Sequence, residues 1–135
     1  MNPRHWIILG AVLAALAIGM GAFGAHALRT RLTSGDTVTA ESQRRLEVFE
    51  TAARYQMYHA LALVMVGLMA ERRSSTMLRV AGGLFAVGVL LFCGSLYALV
   101  LSGIKLLGAI TPLGGVAFII GWLALAVAAG RKHDE

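Results

Sequence analysis

The sequence predicts an all-α membrane protein with four transmembrane helices and an interfacial amphipathic helix between the first and the second. Residues 6–28, 52–70, 80–101 and 106–129 form four apolar stretches without an acidic side chain. At about 1.5 Å per residue, each can cross a hydrocarbon core of roughly 30 Å as a helix. Hydrophobic residues make up 58% of the chain and charged residues 14%, too little polar surface to cover four such stretches in water.

We predict a single transmembrane domain that comprises residues 1–135. Its first span covers residues 6–28. Small residues recur at a spacing of four along one face of this span, at Ala17, Gly21 and Ala25. Such faces let helix backbones approach closely in lipid. The pattern favours packing within the bundle, and contact with a second copy of the chain is the alternative.

A polar segment follows the first span, with Ser34-Gly35-Asp36 as its break. Residues 40–54 then have the pattern of an amphipathic helix lying at the membrane surface and running into the second span. Glu50 and Arg54 are spaced i,i+4 with the acid first, the favourable order. Leu46 and Phe49 lie on the opposite face, so we expect them to dock into the interface or the bundle.

The third span covers residues 80–101, and Gly103 is expected to end its helix. The fourth helix begins properly at Thr111, with Pro112 at the first helical position, where its missing N–H costs nothing. Residues 106–110 would then form an apolar connection near the interface.

An even number of spans places both termini on one side of the membrane. The 12 Lys and Arg residues divide equally between the two sides, so the positive-inside rule does not decide the orientation, and we favour cytoplasmic termini only slightly. The net charge of +5 fits contact with anionic lipid headgroups rather than nucleic acid, because no basic patch is interleaved with exposed aromatic residues.

Two histidines near facing ends of the first two spans are the strongest candidates for chemistry. Ionisable groups within membrane spans usually face the bundle interior and mark functional sites. Two imidazoles could ligate a haem iron or a metal ion, or pass protons, and the structural alternative is one interhelical hydrogen bond for each ring. The expected polar cluster comprises His26, His59, Tyr55, Tyr58, Ser95 and Tyr97.

Several reaction classes are disfavoured by what the spans lack. No acidic residue within a span could orient a histidine for a serine nucleophile. The only cysteine is Cys93, so an intramolecular disulfide or a paired-thiol redox motif is impossible. We therefore predict no enzymatic activity, no cofactor and no metal site.

Four motif blocks, in order along almost the whole chain, resemble the DUF423 family of small bacterial inner-membrane proteins, which are similar to transmembrane protein 256 of mitochondria. The blocks are Gly21-Ala22-Phe23-Gly24-Ala25-His26-Ala27-Leu28, Phe49-Glu50-Thr51-Ala52 with Tyr55-Gln56-Met57-Tyr58-His59-Ala60-Leu61, Leu91-Phe92-Cys93-Gly94-Ser95-Leu96-Tyr97, and Ile110-Thr111-Pro112-Leu113-Gly114-Gly115 through Gly121-Trp122. The resemblance implies a four-helix integral protein of the bacterial inner (plasma) membrane. It implies no established activity, so no catalytic role passes to any residue.

Three functions remain open at this stage. The leading hypothesis is an accessory or scaffolding membrane subunit whose partners are the lipid bilayer and other membrane subunits or a second copy. The second is a haem-, metal- or proton-handling protein that uses His26 and His59. The third is a small-molecule permeation protein with a polar path around Ser95, Tyr97 and Thr111.

Overall fold

The computed structural model describes residues 2–34 and 39–130, and this part of the chain is helical without a strand. Helix α1 is Pro3–Thr33 and contains a π-helical turn at Gly24–Leu28, and α2 is Ala40–Arg72. Helix α3 is Thr76–Ser102 with a π-helical turn at Val89–Cys93, and α4 is Thr111–Gly130 after a 3₁₀ connection at Lys105–Ala109. Gly35 and Asp36, from the expected turn, lie outside the described residues.

Three helical segments are long and apolar enough to cross a membrane: α1, α3, and α4 with its preceding connection. The predicted helical class is thereby confirmed. By length and composition, the described residues contain three membrane-spanning helices rather than the four predicted. Helix α2 falls short because charged residues fill its first half and polar residues, including Gln56 and His59, follow at the start of its apolar half.

A continuous seam of buried residues makes α2 the central helix of the bundle. The seam alternates spacings of four and three, the repeat of left-handed helix packing. Its members are Ser42, Leu46, Phe49, Ala53, Gln56, Ala60, Leu63 and Gly67. Helices α1 and α3 each pack antiparallel on α2, and α4 packs antiparallel on α3.

The region of the expected interfacial helix differs from the prediction. Residues 40–54 and the second apolar stretch form one uninterrupted α-helix, whereas a surface helix that turned into a span would need a break between them. The physical reason is the seam, which continues past residue 52 without changing its spacing. Leu46 and Phe49 are buried as predicted, and Phe49 packs against Gly24 of α1 and Tyr97 of α3.

The closest approach between α1 and α2 depends on glycines other than those of the predicted stripe. A Cβ atom on Gly10 would lie 2.5 Å from the Ala60 carbonyl oxygen and 2.9 Å from the Val64 backbone nitrogen. Of the stripe, Ala17 is buried, whereas Ala25 is exposed and a Cβ on Gly21 would meet nothing within 4 Å. The face of α1 that meets α2 therefore passes through Gly10 and not through Gly21.

The connection between α3 and α4 follows the sequence signals. Gly103 ends α3 with a φ of 75°, a left-handed conformation that glycine adopts without steric cost. Helix α4 begins at Thr111 as predicted, and the Thr111 hydroxyl forms a 2.7 Å hydrogen bond with the Ser95 hydroxyl of α3. This bond fixes the two helices at one end of their shared interface.

Replacement of Gly10 by alanine tests the α1–α2 contact. We expect Gly10→Ala to lower the stability of the detergent-solubilised protein by about 1–3 kcal/mol, because backbone atoms of α2 cannot yield to the added methyl group. Gly19→Ala is the matched control, since a Cβ there meets nothing within 4 Å. Thermal unfolding followed by tryptophan fluorescence measures both, and equal melting temperatures for the two variants would contradict this packing.

Candidate functional site

His59 lies in α2, 4% exposed, with both ring nitrogens engaged by the protein. Its Nδ1 lies 2.7 Å from the Tyr55 carbonyl oxygen, and Trp122 Nε1 of α4 donates to its Nε2 over 3.2 Å. An indole N–H can only donate, so Nε2 must accept and Nδ1 must carry the proton that it donates to the carbonyl. The hydrogen bonds thus assign a neutral ring with its proton on Nδ1.

The ring of His59 sits among aromatic side chains from α3 and α4. Phe118 stacks on it with ring centroids 3.4 Å apart and an interplanar angle of 6°, and Phe85 lies 5.6 Å away. Trp122 packs on Phe85 edge to face at 5.1 Å. The His59–Phe118 pair is stacked face to face, whereas edge-on contacts such as the Trp122–Phe85 pair stabilise aromatic rings beyond the area that they bury. The histidine therefore joins α2 to α3 and α4.

A groove of about 520 Å³ opens beside this ring onto the outer face of the bundle. Its lining is aromatic and apolar, with Tyr58 and Trp122 partly exposed at the rim. The lining residues are Tyr55, Tyr58, His59, Phe92, Gly115, Phe118, Ile119 and Trp122. The groove could take an apolar molecule or an acyl chain. Among the described residues, no three His, Cys, Asp or Glu side chains come close enough to hold a metal ion.

The other residues of the predicted cluster divide into separate pairs. Tyr55 supplies its carbonyl to His59 and stacks on Phe92, and the Tyr58 ring lies 5.9 Å from Tyr55 at the rim. The Ser95 hydroxyl donates to the Phe92 carbonyl over 3.0 Å and bonds Thr111. Tyr97 donates to Gln56 Oε1 over 3.0 Å. Ser95 and Tyr97 therefore hold helices together at positions apart from the histidine.

The structure places His26 far from His59, so the expected histidine pair was wrong. His26 is exposed on α1, and its carbonyl accepts a hydrogen bond from Thr30. Gly10 of α1 is the residue level with Ala60, so His26 lies 16 residues, or about 24 Å, farther along the helix axis. The error came from placing residues 40–54 along the membrane surface. In the structure they continue α2 and pack against the end of α1, where Phe49 meets Gly24, so His59 meets residues much earlier in α1.

Sequence reasoning missed Gln56, which joins three helices. Its Nε2 donates to the Leu13 carbonyl of α1 over 2.9 Å, and its Oε1 accepts from Tyr97 of α3. The available signal was an uncharged amide within an apolar stretch, where a buried polar side chain needs partners. The role of Arg45 was missed as well: its guanidinium donates to the Val100 carbonyl near the end of α3.

Substitutions at the two histidines separate a structural role from an incidental one. We expect His59→Ala to destabilise the protein by about 2–4 kcal/mol, because it opens a cavity beside Phe118 and leaves the Trp122 N–H unpaired in an apolar setting. His59→Gln keeps a hydrogen-bonding end and should cost less. His26→Ala is the control and should change little. Melting temperatures in mild detergent measure all three, and equal effects at His59 and His26 would contradict the assignment.

Comparison with known proteins places this arrangement in a family. The family described as "Protein of unknown function (DUF423)" matches residues 20–115. A UPF0382 membrane protein of Staphylococcus aureus is 48% identical over 93% of this chain and 94% of its own length. A UPF0382 membrane protein of Bacillus subtilis is 47% identical over 93% of this chain and 96% of its own length. One of Staphylococcus epidermidis is 46% identical over 93% of this chain and 94% of its own length.

No solved structure shows significant similarity to the chain. The relatives are named membrane proteins, and the described residues include three helical segments able to span a bilayer. The predicted localisation in the bacterial inner (plasma) membrane is thus confirmed, as is the resemblance of the motif blocks. The chain belongs to the DUF423 family, whose curated relatives are named UPF0382 membrane proteins.

Proposed function

We propose that the protein is a four-span, non-enzymatic membrane protein that acts as an accessory or scaffolding subunit. The observation that carries the proposal is the use of its buried polar side chains, Ser42, Gln56, His59 and Ser95. Each of them is hydrogen-bonded within the protein, and three of them join different helices. Because these side chains are hydrogen-bonded within the protein, they support a role in holding the bundle together rather than in binding or converting a substrate.

Helix α2 supplies the fourth span in this proposal. It packs against α1 and α3, both long enough to cross, and its exposed face changes character along its length. Glu47, Glu50 and Arg54 occupy that face in the first half, and Leu61, Met65 and Leu68 occupy it in the second. Tyr55 and Tyr58 lie at the change, where tyrosines with one polar end favour a membrane boundary. The apolar half of α2 therefore suits the hydrocarbon core.

Labelling of single cysteines tests the four-span topology. In a Cys93→Ala background, Ser34→Cys and Ser74→Cys should be labelled from opposite sides of the membrane, because α2 separates them. Cys93 is buried, so its removal leaves the labelled surface unchanged. Ser102→Cys, at the end of α3, serves as an internal control and should match Ser34→Cys. Labelling of positions 34 and 74 from the same side would remove α2 from the set of spans.

The haem-, metal- or proton-handling alternative conflicts with the bonding of His59. A ligand would need the Nε2 lone pair that accepts the Trp122 N–H, and an imidazolium would place two donors opposite each other there. We expect protein purified in mild detergent to show no Soret band and no stoichiometric metal by elemental analysis. Either signal, if lost in both His59→Ala and His59→Gln, would replace the scaffold proposal with a ligand site.

The permeation alternative needs a continuous polar path around Ser95, Tyr97 and Thr111. These side chains are instead hydrogen-bonded in pairs: Ser95 with Thr111, and Tyr97 with Gln56. A path would require both pairs to open together in an apolar surrounding, which is costly for buried polar groups. No observation in the described residues favours permeation over a scaffold.

Affinity purification at native expression level tests the accessory role. The tagged full-length chain, extracted from its own membranes in mild detergent, should co-purify with a defined membrane protein in constant ratio across preparations. A tagged four-helix membrane protein of another family, processed identically, is the control for non-specific recovery. Recovery of the chain alone, monomeric after cross-linking in the intact membrane, would contradict the proposal.

A further inference from the structure

A basic groove of about 460 Å³ lies at the end of the bundle where α3 terminates. It is formed between the first turns of α2 and the connection that leads to α4. We call it the interfacial basic groove, and its lining residues are Glu41, Arg44, Arg45, Val48, Leu99, Lys105 and Gly108. It is separate from the aromatic groove beside His59, with which it shares no residue.

The groove carries an excess of positive charge that the protein does not neutralise. Three cations and one acid line it, which leaves two positive charges in excess. Arg45 directs its guanidinium to the Val100 carbonyl at the end of α3, an arrangement favoured by the helix dipole. Among the described residues, neither Arg44 nor Lys105 forms an ion pair or a side-chain hydrogen bond. These two cations are available to an external anion.

The position of the groove in the membrane and the apolar side chains on its floor indicate which kind of anion it binds. Helix α3 has 27 residues and is about 40 Å long, so its end reaches past a hydrocarbon core of roughly 30 Å into the headgroup region. The apolar side chains Val48 and Leu99 are half-buried on the floor of the groove. A free inorganic anion would gain nothing from that floor, whereas a lipid could lay its glycerol backbone and first methylenes on it.

We propose that the interfacial basic groove binds the headgroup of an anionic phospholipid from the surrounding bilayer. The phosphate accepts hydrogen bonds from the planar guanidinium of Arg44 and from the ammonium of Lys105. An acyl chain begins along Val48 and Leu99. Basic pockets between transmembrane helices at this depth recognise such headgroups by charge, so a zwitterionic lipid binds less well.

Native mass spectrometry of the delipidated full-length protein in detergent tests the proposal. Phosphatidylglycerol and phosphatidylcholine with identical acyl chains are titrated in parallel, and we expect preferential retention of phosphatidylglycerol. Arg44→Gln combined with Lys105→Gln should weaken phosphatidylglycerol binding about thirtyfold, since each cation near a lipid surface contributes roughly fivefold. Binding of phosphatidylcholine should change far less.

A matched pair of substitutions controls for the loss of net charge. Arg31→Gln combined with Arg54→Gln removes two exposed cations outside the groove and should leave phosphatidylglycerol binding within about twofold of the unmodified protein. Gly108→Leu fills the groove without a change of charge and should weaken binding as well. A Cβ there would lie 3.2 Å from the end of the Leu99 side chain, which is flexible and can move aside.

Three results would overturn the proposal. One is equal retention of the two lipids by the unmodified protein, and another is equal loss of binding in the groove pair and the control pair. The third is displacement of phosphatidylglycerol by sodium phosphate but not by sodium chloride at the same ionic strength, which would identify a free-phosphate site. Melting temperatures establish that each variant folds, and if the groove pair does not, Gly108→Leu and Lys105→Gln alone provide the test.

Discussion

The buried seam of α2 is the constraint on which the rest of the bundle depends. In lipid, burial of apolar side chains against one another gains little, because the acyl chains outside are equally apolar. Close backbone approach and interhelical hydrogen bonds must supply the association instead. The seam provides both, since Gly10 lets α1 contact the Ala60–Val64 backbone and Gln56 bonds Leu13 and Tyr97. Because the seam does not change its spacing, α1 and α3 both follow α2 along its length.

The same requirement explains why His59 looks like a catalytic group in the sequence and behaves as a connector in the structure. A buried imidazole without partners would be expensive in an apolar setting, and the bundle satisfies both of its nitrogens with Tyr55 and Trp122. Trp122 belongs to α4, which otherwise packs on α3. One histidine therefore links the central helix to the outermost one, and removal of the Trp122 indole would affect packing and hydrogen bonding together.

The polar end of the bundle has a different character from its apolar body. There the charged half of α2 runs beside the end of α3, and Arg45 satisfies a carbonyl that α3 itself cannot pair. Arg44 and Lys105 add charge at the same level without an acidic partner among the described residues. A scaffold held in a bilayer meets lipid headgroups at this depth, so a lipid site there is compatible with an accessory role and independent of it.

The sequence by itself determined the helical class, the membrane location and the family. It also determined features that depend only on neighbouring residues, such as helix ends and the buried face of a helix. Gly103 ends α3 because only a short-range conformational preference is involved, and Leu46 and Phe49 are buried because helical periodicity places them on one face. Only the tertiary structure decided the relative depth of the helices. The position at which α2 begins to pack on α1 sets which residues of the two helices lie at the same depth. His26 and His59 therefore lie far apart along the helix axes, although each is in a helix. The partners of Gln56, Ser95 and Arg45 were equally inaccessible, because a hydrogen bond between helices depends on register and rotation that no single stretch of sequence encodes.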